Sequence, residues 1–305
     1  VGDKTHIQWT GPNGHTWNPW QGCDKVSPAC DFCYMYRDKK RYGQDPEAVV
    51  RSATRTFNAP LRWQREAKAA GRVDLVFTCS WSDWFHKDAD AWRDDAWAII
   101  RQCPNLIFMV LTKRVNLIET RLPKDWGKGY DNVWLGVSVE TQAWAQKRIP
   151  KLALIPAKVR FLSVEPQLGP ITLFGEDADD GKGPAGRYVS VLKDSLEMGQ
   201  YYDDEARPDV DWVIVGGESG GPDESRPFDP EWAKDIVGEC DNAGVAVFVK
   251  QMGSWWARYH HAKDDAGGDP AEWPEVLRRR EWPAGYLGDP RLLTTKPDPT
   301  LVPWS

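Results

Sequence analysis

Three cysteines fall within eleven residues, in the run Gly22-Cys23-Asp24-Lys25-Val26-Ser27-Pro28-Ala29-Cys30-Asp31-Phe32-Cys33-Tyr34. Thiolates are soft donors that suit zinc and iron, and three on one short loop can converge on a single centre without help from distant parts of the chain. Structural zinc normally takes four protein ligands. A fourth is not evident here, the nearest histidines being His15 upstream and His86 downstream. Three thiolates on a four-iron cluster would instead leave one iron open to a substrate or cofactor, which makes a site for chemistry. The other cysteines, Cys79, Cys103 and Cys240, lie scattered in apolar strand or helical stretches and read as small buried hydrophobes. Cysteines placed this way make a poor disulfide framework.

Such a loop needs a frame. Apolar runs of strand length recur at Val73–Cys79, Leu106–Thr112, Asn132–Val139, Val159–Val164, Asp211–Gly216 and Val245–Lys250, with a possible short strand near His15–Trp20. Their near-continuous apolar character means burial on both faces, as in a parallel sheet covered by helices. Amphipathic stretches at Pro60–Ala70, Ala89–Gln102, Trp144–Ile155 and Pro230–Ala243 alternate with them. Six or seven βα units predict an α/β fold, a full or partial (β/α) barrel spanning residues 1–253, with its chemistry at the carboxyl ends of the strands. Those ends are polar: Ser80, Ser82 and Asp83 after the second strand, Lys113 and Arg114 after the third, then Ser138 and Glu140, Glu165, Glu218, and Lys250 with Gln251. Two segments break the rhythm. Residues 174–211 hold eleven acids against four bases and read as an insertion on the barrel rim. Residues 254–305, rich in Trp, Pro and Gly, read as an extension packed across one barrel end.

The spacing Cys23-x6-Cys30-x2-Cys33, with aromatic Phe32 before the last cysteine and a strand-like segment before the first, resembles the cluster loop of radical S-adenosylmethionine (radical SAM) enzymes, although its first gap is wider than the commonest three residues. Trp17-Asn18-Pro19, Gly22-Cys23, Lys25-Val26-Ser27-Pro28, Leu162-Ser163-Val164-Glu165-Pro166 and Val215-Gly216-Gly217-Glu218-Ser219 are together similar to a phage-associated family of radical-SAM-like proteins of uncharacterised activity. The likeness covers about Ile7 to Gly253. It implies a radical-SAM-type barrel in which Cys23, Cys30 and Cys33 hold a [4Fe-4S] cluster. S-adenosylmethionine would chelate the open iron and be cleaved reductively to a 5′-deoxyadenosyl radical that abstracts hydrogen from a substrate. An electron donor such as a flavodoxin follows as a partner.

The resemblance also implies roles for the strand ends. Ser80, Ser82 and Asp83 stand where the superfamily has a Gly-Gly-Glu-type turn that contacts the methionine amino group, so Asp83 is expected to accept from that ammonium. Lys113, Arg114, Ser138 and Glu140 are expected to hold the carboxylate and ribose of the cofactor, a cation fork suiting the first and a carboxylate the second. From the strand-end pattern itself, Glu165 and Glu218 are expected as catalytic residues that orient substrate, with general acid–base work by the two carboxylates left open because the spacing does not fix their separation.

The chain has 305 residues, 41% hydrophobic and 28% charged, enough for a substantial core and too apolar for disorder to dominate. Its net charge of −6 argues against a surface that coats nucleic acid throughout. Between Arg37 and Arg72, however, ten Lys and Arg residues face four acids, so a nucleic-acid substrate, DNA among them, stays open beside a small molecule and beside a merely solvated helical face. No apolar run reaches membrane-spanning length and no signal-peptide pattern opens the sequence, so the expectation is a soluble cytoplasmic protein with no membrane partner, in the host cytoplasm if phage-encoded. The 18 tryptophans decide nothing alone, since flat rings pack cores or stack on flat ligands; Trp81, Trp84, Trp255 and Trp256 are expected in core or lid packing. Two other function classes compete with the enzyme: a non-catalytic zinc-binding or interaction module with a fourth ligand such as His15, and an iron–sulfur protein that only transfers electrons or senses redox state.

Overall fold

Each of the six apolar runs named above becomes a strand, to within one residue at its ends. The computed structural model describes residues 4–173 and 210–283, and these fall into two compact units. The first takes the residues up to Ser138 together with Ile155–Val159; the second takes Val139–Leu154 and the chain from Arg160 onward.

In the first unit the elements are β1 (His15–Trp17), β2 (Trp20–Gln21), α1 (Tyr34–Arg41), β3 (Val50–Arg51), α2 (Thr54–Phe57), α3 (Ala59–Ala69), β4 (Asp74–Thr78), α4 (Asp90–Arg101), β5 (Leu106–Thr112) and β6 (Val133–Ser138). β1, β4, β5 and β6 are parallel neighbours in that order, with His15 opposite Val76, Val76 opposite Phe108 and Phe108 opposite Val133. All six residues of β6 are buried, as a strand covered on both faces requires. The expected single strand His15–Trp20 is split: it stops at Trp17, before Asn18 and Pro19, because proline has no N–H for a ladder. Trp20–Gln21 then pairs antiparallel with Val50–Arg51, an arrangement no periodicity announces.

The second unit holds α5 (Gln142–Ala153), β7 (Val159–Val164, all but its first residue), β8 (Trp212–Gly216), α6 (Pro230–Ala243), β9 (Ala246–Gln251) and α7 (Ser254–Tyr259). β7, β8 and β9 are parallel neighbours. α6 starts where its sequence dictates: the Asp229 carboxylate accepts from the Glu231 N–H at 3.0 Å and Pro230 occupies the first turn. Residues 279–281 lie along β9, with Val249 N–H donating to Arg279 O at 2.8 Å and Glu281 N–H to Val247 O at 3.1 Å, so the first part of the extension covers that strand's edge. The acidic insertion, residues 174–209 of it, and the last part of the extension, 284–305, lie outside the described residues. Seven parallel strands interleaved with helices establish the α/β class. No helix among the described residues is long and apolar enough to cross a membrane.

Candidate functional site around the cysteine loop

The cysteine loop leaves β2 through Gly22, whose φ of +103° is open to glycine and where an added Cβ would sit 2.1 Å from Ala48 O. Its backbone is tied to the turn that follows β4. Gly22 N–H donates to Trp81 O at 2.9 Å, and the Ser82 hydroxyl donates to Gly22 O at 2.6 Å. Asn18 braces that turn from below, its Nδ2 donating to Ser80 Oγ at 2.9 Å and its Oδ1 accepting from Trp81 N–H at 2.9 Å. The chain enters the turn through Cys79, a buried residue held at φ +55°, where side chains seldom sit. Two tyrosines of α1 complete the lacing: Tyr34 Oη donates to Ser80 O and Tyr36 Oη to Cys23 O, both at 2.6 Å.

Arg114, at the end of β5, is the electrostatic centre of this arrangement. Its guanidinium donates to Cys23 Sγ at 3.3 Å and, through the other terminal nitrogen, to Asp24 O at 2.9 Å and Asp24 Oδ1 at 2.8 Å. It also faces Asp83 Oδ2 at 3.2 Å. Burial works against its charge, but Asp83, Cys23 and Asp24 together hold it protonated well above the ordinary arginine range. The Asp83 carboxylate is filled from all sides, accepting from Phe85 N–H at 2.9 Å, Thr112 Oγ1 at 2.7 Å and Lys113 N–H at 2.9 Å besides Arg114. A carboxylate so occupied and so buried is a brace for the β4 and β5 ends, with no oxygen left for a substrate ammonium. Arg114 is likewise engaged within the protein. Lys113 differs: among the described residues its Nζ reaches only Ser138 Oγ, at 3.3 Å, on a half-buried side chain.

Sequence reasoning missed Asp24, and treated His86 only as a distant possible ligand. The two are hydrogen-bonded through His86 Nε2, and His86 Nδ1 accepts from Asp88 N–H at 3.2 Å, which leaves the ring proton on Nε2 to donate to Asp24. Burial would raise the Asp24 carboxyl, but Arg114 and His86 hold it below the usual range. His15 lies 3.5 Å from Asp74 and stacks on Trp63 with ring centroids 4.3 Å apart.

All six cysteines are free thiols, Cys30 buried and Cys23 and Cys33 half-buried. Burial pushes the Cys23 thiol up to about 12 despite the Arg114 charge beside it. No group of three His, Cys, Asp or Glu side chains stands at metal-holding spacing among the described residues. The donor chemistry nonetheless suits a thiophilic group: three unpaired thiols on one loop, one of them facing a fixed cation that would favour its thiolate. Cys79, Cys103 and Cys240 are buried, as expected of small hydrophobes.

The remaining expected site residues belong to the second unit, each in a separate ion pair. Glu140 is fully buried against Arg148 at 2.8 Å, the guanidinium lying 4.0 Å over the Trp144 ring. Glu165 is paired with Lys250. Glu218 is held by Arg226, which donates through Nε at 2.8 Å, a terminal nitrogen at 2.6 Å and its backbone N–H at 3.1 Å. Trp84 and Trp256 are buried, in keeping with packing roles.

The chain matches the family described as protein of unknown function DUF5131 over residues 4–278, and it belongs to that family. No curated protein and no solved structure gives a significant match.

Proposed function

We propose that this member of the family is a radical SAM enzyme in which Cys23, Cys30 and Cys33 hold a [4Fe-4S] cluster, built on a full or partial (β/α) barrel. The observation that carries the reading is the lacing of the three-cysteine loop onto the carboxyl ends of parallel strands, by Gly22 to Trp81 and Ser82 and by Cys23 to Arg114. When bound, the cluster supplies the electron for reductive cleavage of S-adenosylmethionine and thereby a carbon radical able to abstract hydrogen.

The protein's own residues have the following work. Arg114, fixed by Asp83, directs an N–H at the Cys23 sulfur and offsets the negative charge that a thiolate-bound group brings. Tyr36 and Gly22 fix the backbone on either side of that sulfur. Lys113 is the cation left to meet a carboxylate, with Ser138 as its neighbour. Ser80 and Ser82 shape the turn and hold the loop instead of binding an ammonium directly.

The test is anaerobic reconstitution of the full chain with iron and sulfide, followed by metal analysis, electron paramagnetic resonance of the reduced protein with and without S-adenosylmethionine, and assay of 5′-deoxyadenosine. The expected result is about four irons per chain, a reduced-cluster signal that changes on adding the cofactor, and reductant-dependent product. A colourless protein with one zinc and no cleavage product would overturn the reading in favour of the zinc module.

A further inference from the structure

The exposed face of α1 begins at the cysteine loop and is basic and aromatic in a chain whose net charge is −6. Tyr34, Arg37 and Arg41 are spaced i, i+3 and i+7, with Lys40 beside them, so they share one side of the helix. Tyr34 is 40% exposed while its hydroxyl is tied to Ser80 O, which sets the near end of the face against the turn after β4. Phe32, 36% exposed, precedes it, and Tyr42, 67% exposed, follows its far end.

Cations in a last helical turn have an ordinary use, answering the helix dipole and its open carbonyls. Here Lys39 supplies a cation at that end from a buried position, its Nζ reaching Asp45 O and Ala48 O at 3.5 Å. Lys40 and Arg41 are exposed and form no ion pair among the described residues. Arg37 is paired with Asp38 at 3.3 Å, the acid that partly offsets this face. Exposed cations spaced along a helix meet phosphates, and exposed flat rings between and beyond them meet bases that are free to unstack, a combination that fits a single strand better than a duplex.

We propose that this face of α1 is a track for single-stranded nucleic acid, with Lys40 and Arg41 on phosphates and Tyr42 stacked on a base, leading the strand toward the cysteine loop. That the strand is also the substrate rests on the cysteine loop being the reaction centre; binding along α1 does not.

The test uses the full chain free of metal, so it is blind to cluster assembly, and reads the fluorescence anisotropy of labelled oligothymidine and oligouridine between about 50 and 200 mM salt. Binding should weaken steeply with salt. The K40Q/R41Q double variant should flatten the log–log slope by roughly 1.4, about 0.7 for each lost phosphate contact on a single strand. Tyr42→Ala should weaken binding by roughly fivefold or more, with the salt slope unchanged. Salt-independent binding, an unchanged slope in K40Q/R41Q, or equally tight binding of polyglutamate through the same two residues, which would mark an acidic-protein surface, would each overturn the proposal. A positive result here with no iron or cofactor cleavage would sink the enzyme reading alone.

Discussion

Arg114 serves both the loop and the strands with one guanidinium. It donates to Cys23 Sγ and Asp24 on one side and faces buried Asp83 on the other. Removing one partner of a buried pair strands the other, at a cost of about 3–5 kcal/mol. Asp83 keeps three neutral donors, so Arg114→Gln should fall at the low end, about 3 kcal/mol in urea denaturation. The same variant should slow alkylation of Cys23 at mildly alkaline pH, because the charge that opposes its burial is gone. Arg114→Lys should restore much of the alkylation rate and less of the stability, since an ammonium lacks the planar fork. The other thiols carry a pH prediction. Burial raises Cys79, Cys103 and Cys240 above their ordinary value of 9.0, Cys103 to about 12, so the folded state keeps protons that the unfolded chain releases. A raised folded value gives stability that is complete below pH 9.0 and is lost as pH climbs toward the folded value. Cys240→Ala should therefore reduce the decline of the denaturation midpoint above pH 9, by at most about 1.4 kcal/mol per pH unit.

At the scale of elements, the cysteine loop is a short irregular segment whose shape comes from what it touches. Gly22 shows this best, clamped between Trp81, Ser82 and Ala48 in a backbone conformation that side chains avoid. Gly43 also has positive φ, +66°, but faces open space. Gly43→Ala should cost only about 1 kcal/mol, the strain of the backbone alone. Gly22→Ala must also move Ala48 or the turn after β4, and should lower the melting temperature several times more; equal effects would show that the clamp does not shape the loop. This distinction could not be read from the chain. The long strands could, because burial on both faces writes itself as unbroken apolar runs, and so could α6, marked by Asp229 and Pro230. α1 escaped because five of its eight residues are charged and one of the three it buries, Lys39, is itself a cation, so its apolar face is reduced to Met35 and Tyr36. The cysteines and the polar strand ends were visible as residue types. Their partners were not: Asp83 and Arg114 are far apart in sequence and meet because β4 and β5 are parallel neighbours. Expecting both to face a ligand overlooked that two opposite charges at adjacent strand ends satisfy each other first.

Across the molecule, the surplus of tryptophan that composition left undecided resolves into packing. Trp17, Trp20, Trp63, Trp84, Trp97, Trp134 and Trp212 are all essentially without exposure. In the first unit four of them form a continuous series of ring contacts, with Trp84 5.1 Å from Trp20, 5.7 Å from Trp17 and 5.0 Å from Trp97, and Trp97 in turn 5.6 Å from Trp126. Trp84 follows Asp83 directly, so the same short segment braces the site and seats the core beneath it. Its indole N–H has no hydrogen-bond partner among the described residues, which makes its contribution one of shape and apolar area rather than polarity. Trp84→Ala should then cost about 3–5 kcal/mol, roughly a fifth or more of the stability of an ordinary domain. Trp84→Phe gives up the orphaned N–H along with part of the ring area, and should cost less than half as much. Thermal melts followed by near-ultraviolet circular dichroism separate the two, because the coupled rings around Trp84 report directly on their packing. If Trp84→Phe were as damaging as Trp84→Ala, the indole N–H would have to hold a partner after all, and the argument from packing alone would fail. Since Asp83 takes its position from the chain that Trp84 anchors, the Ala variant should also weaken the Arg114 clamp, visible as slower alkylation of Cys23, while the Phe variant leaves that rate near the parent's.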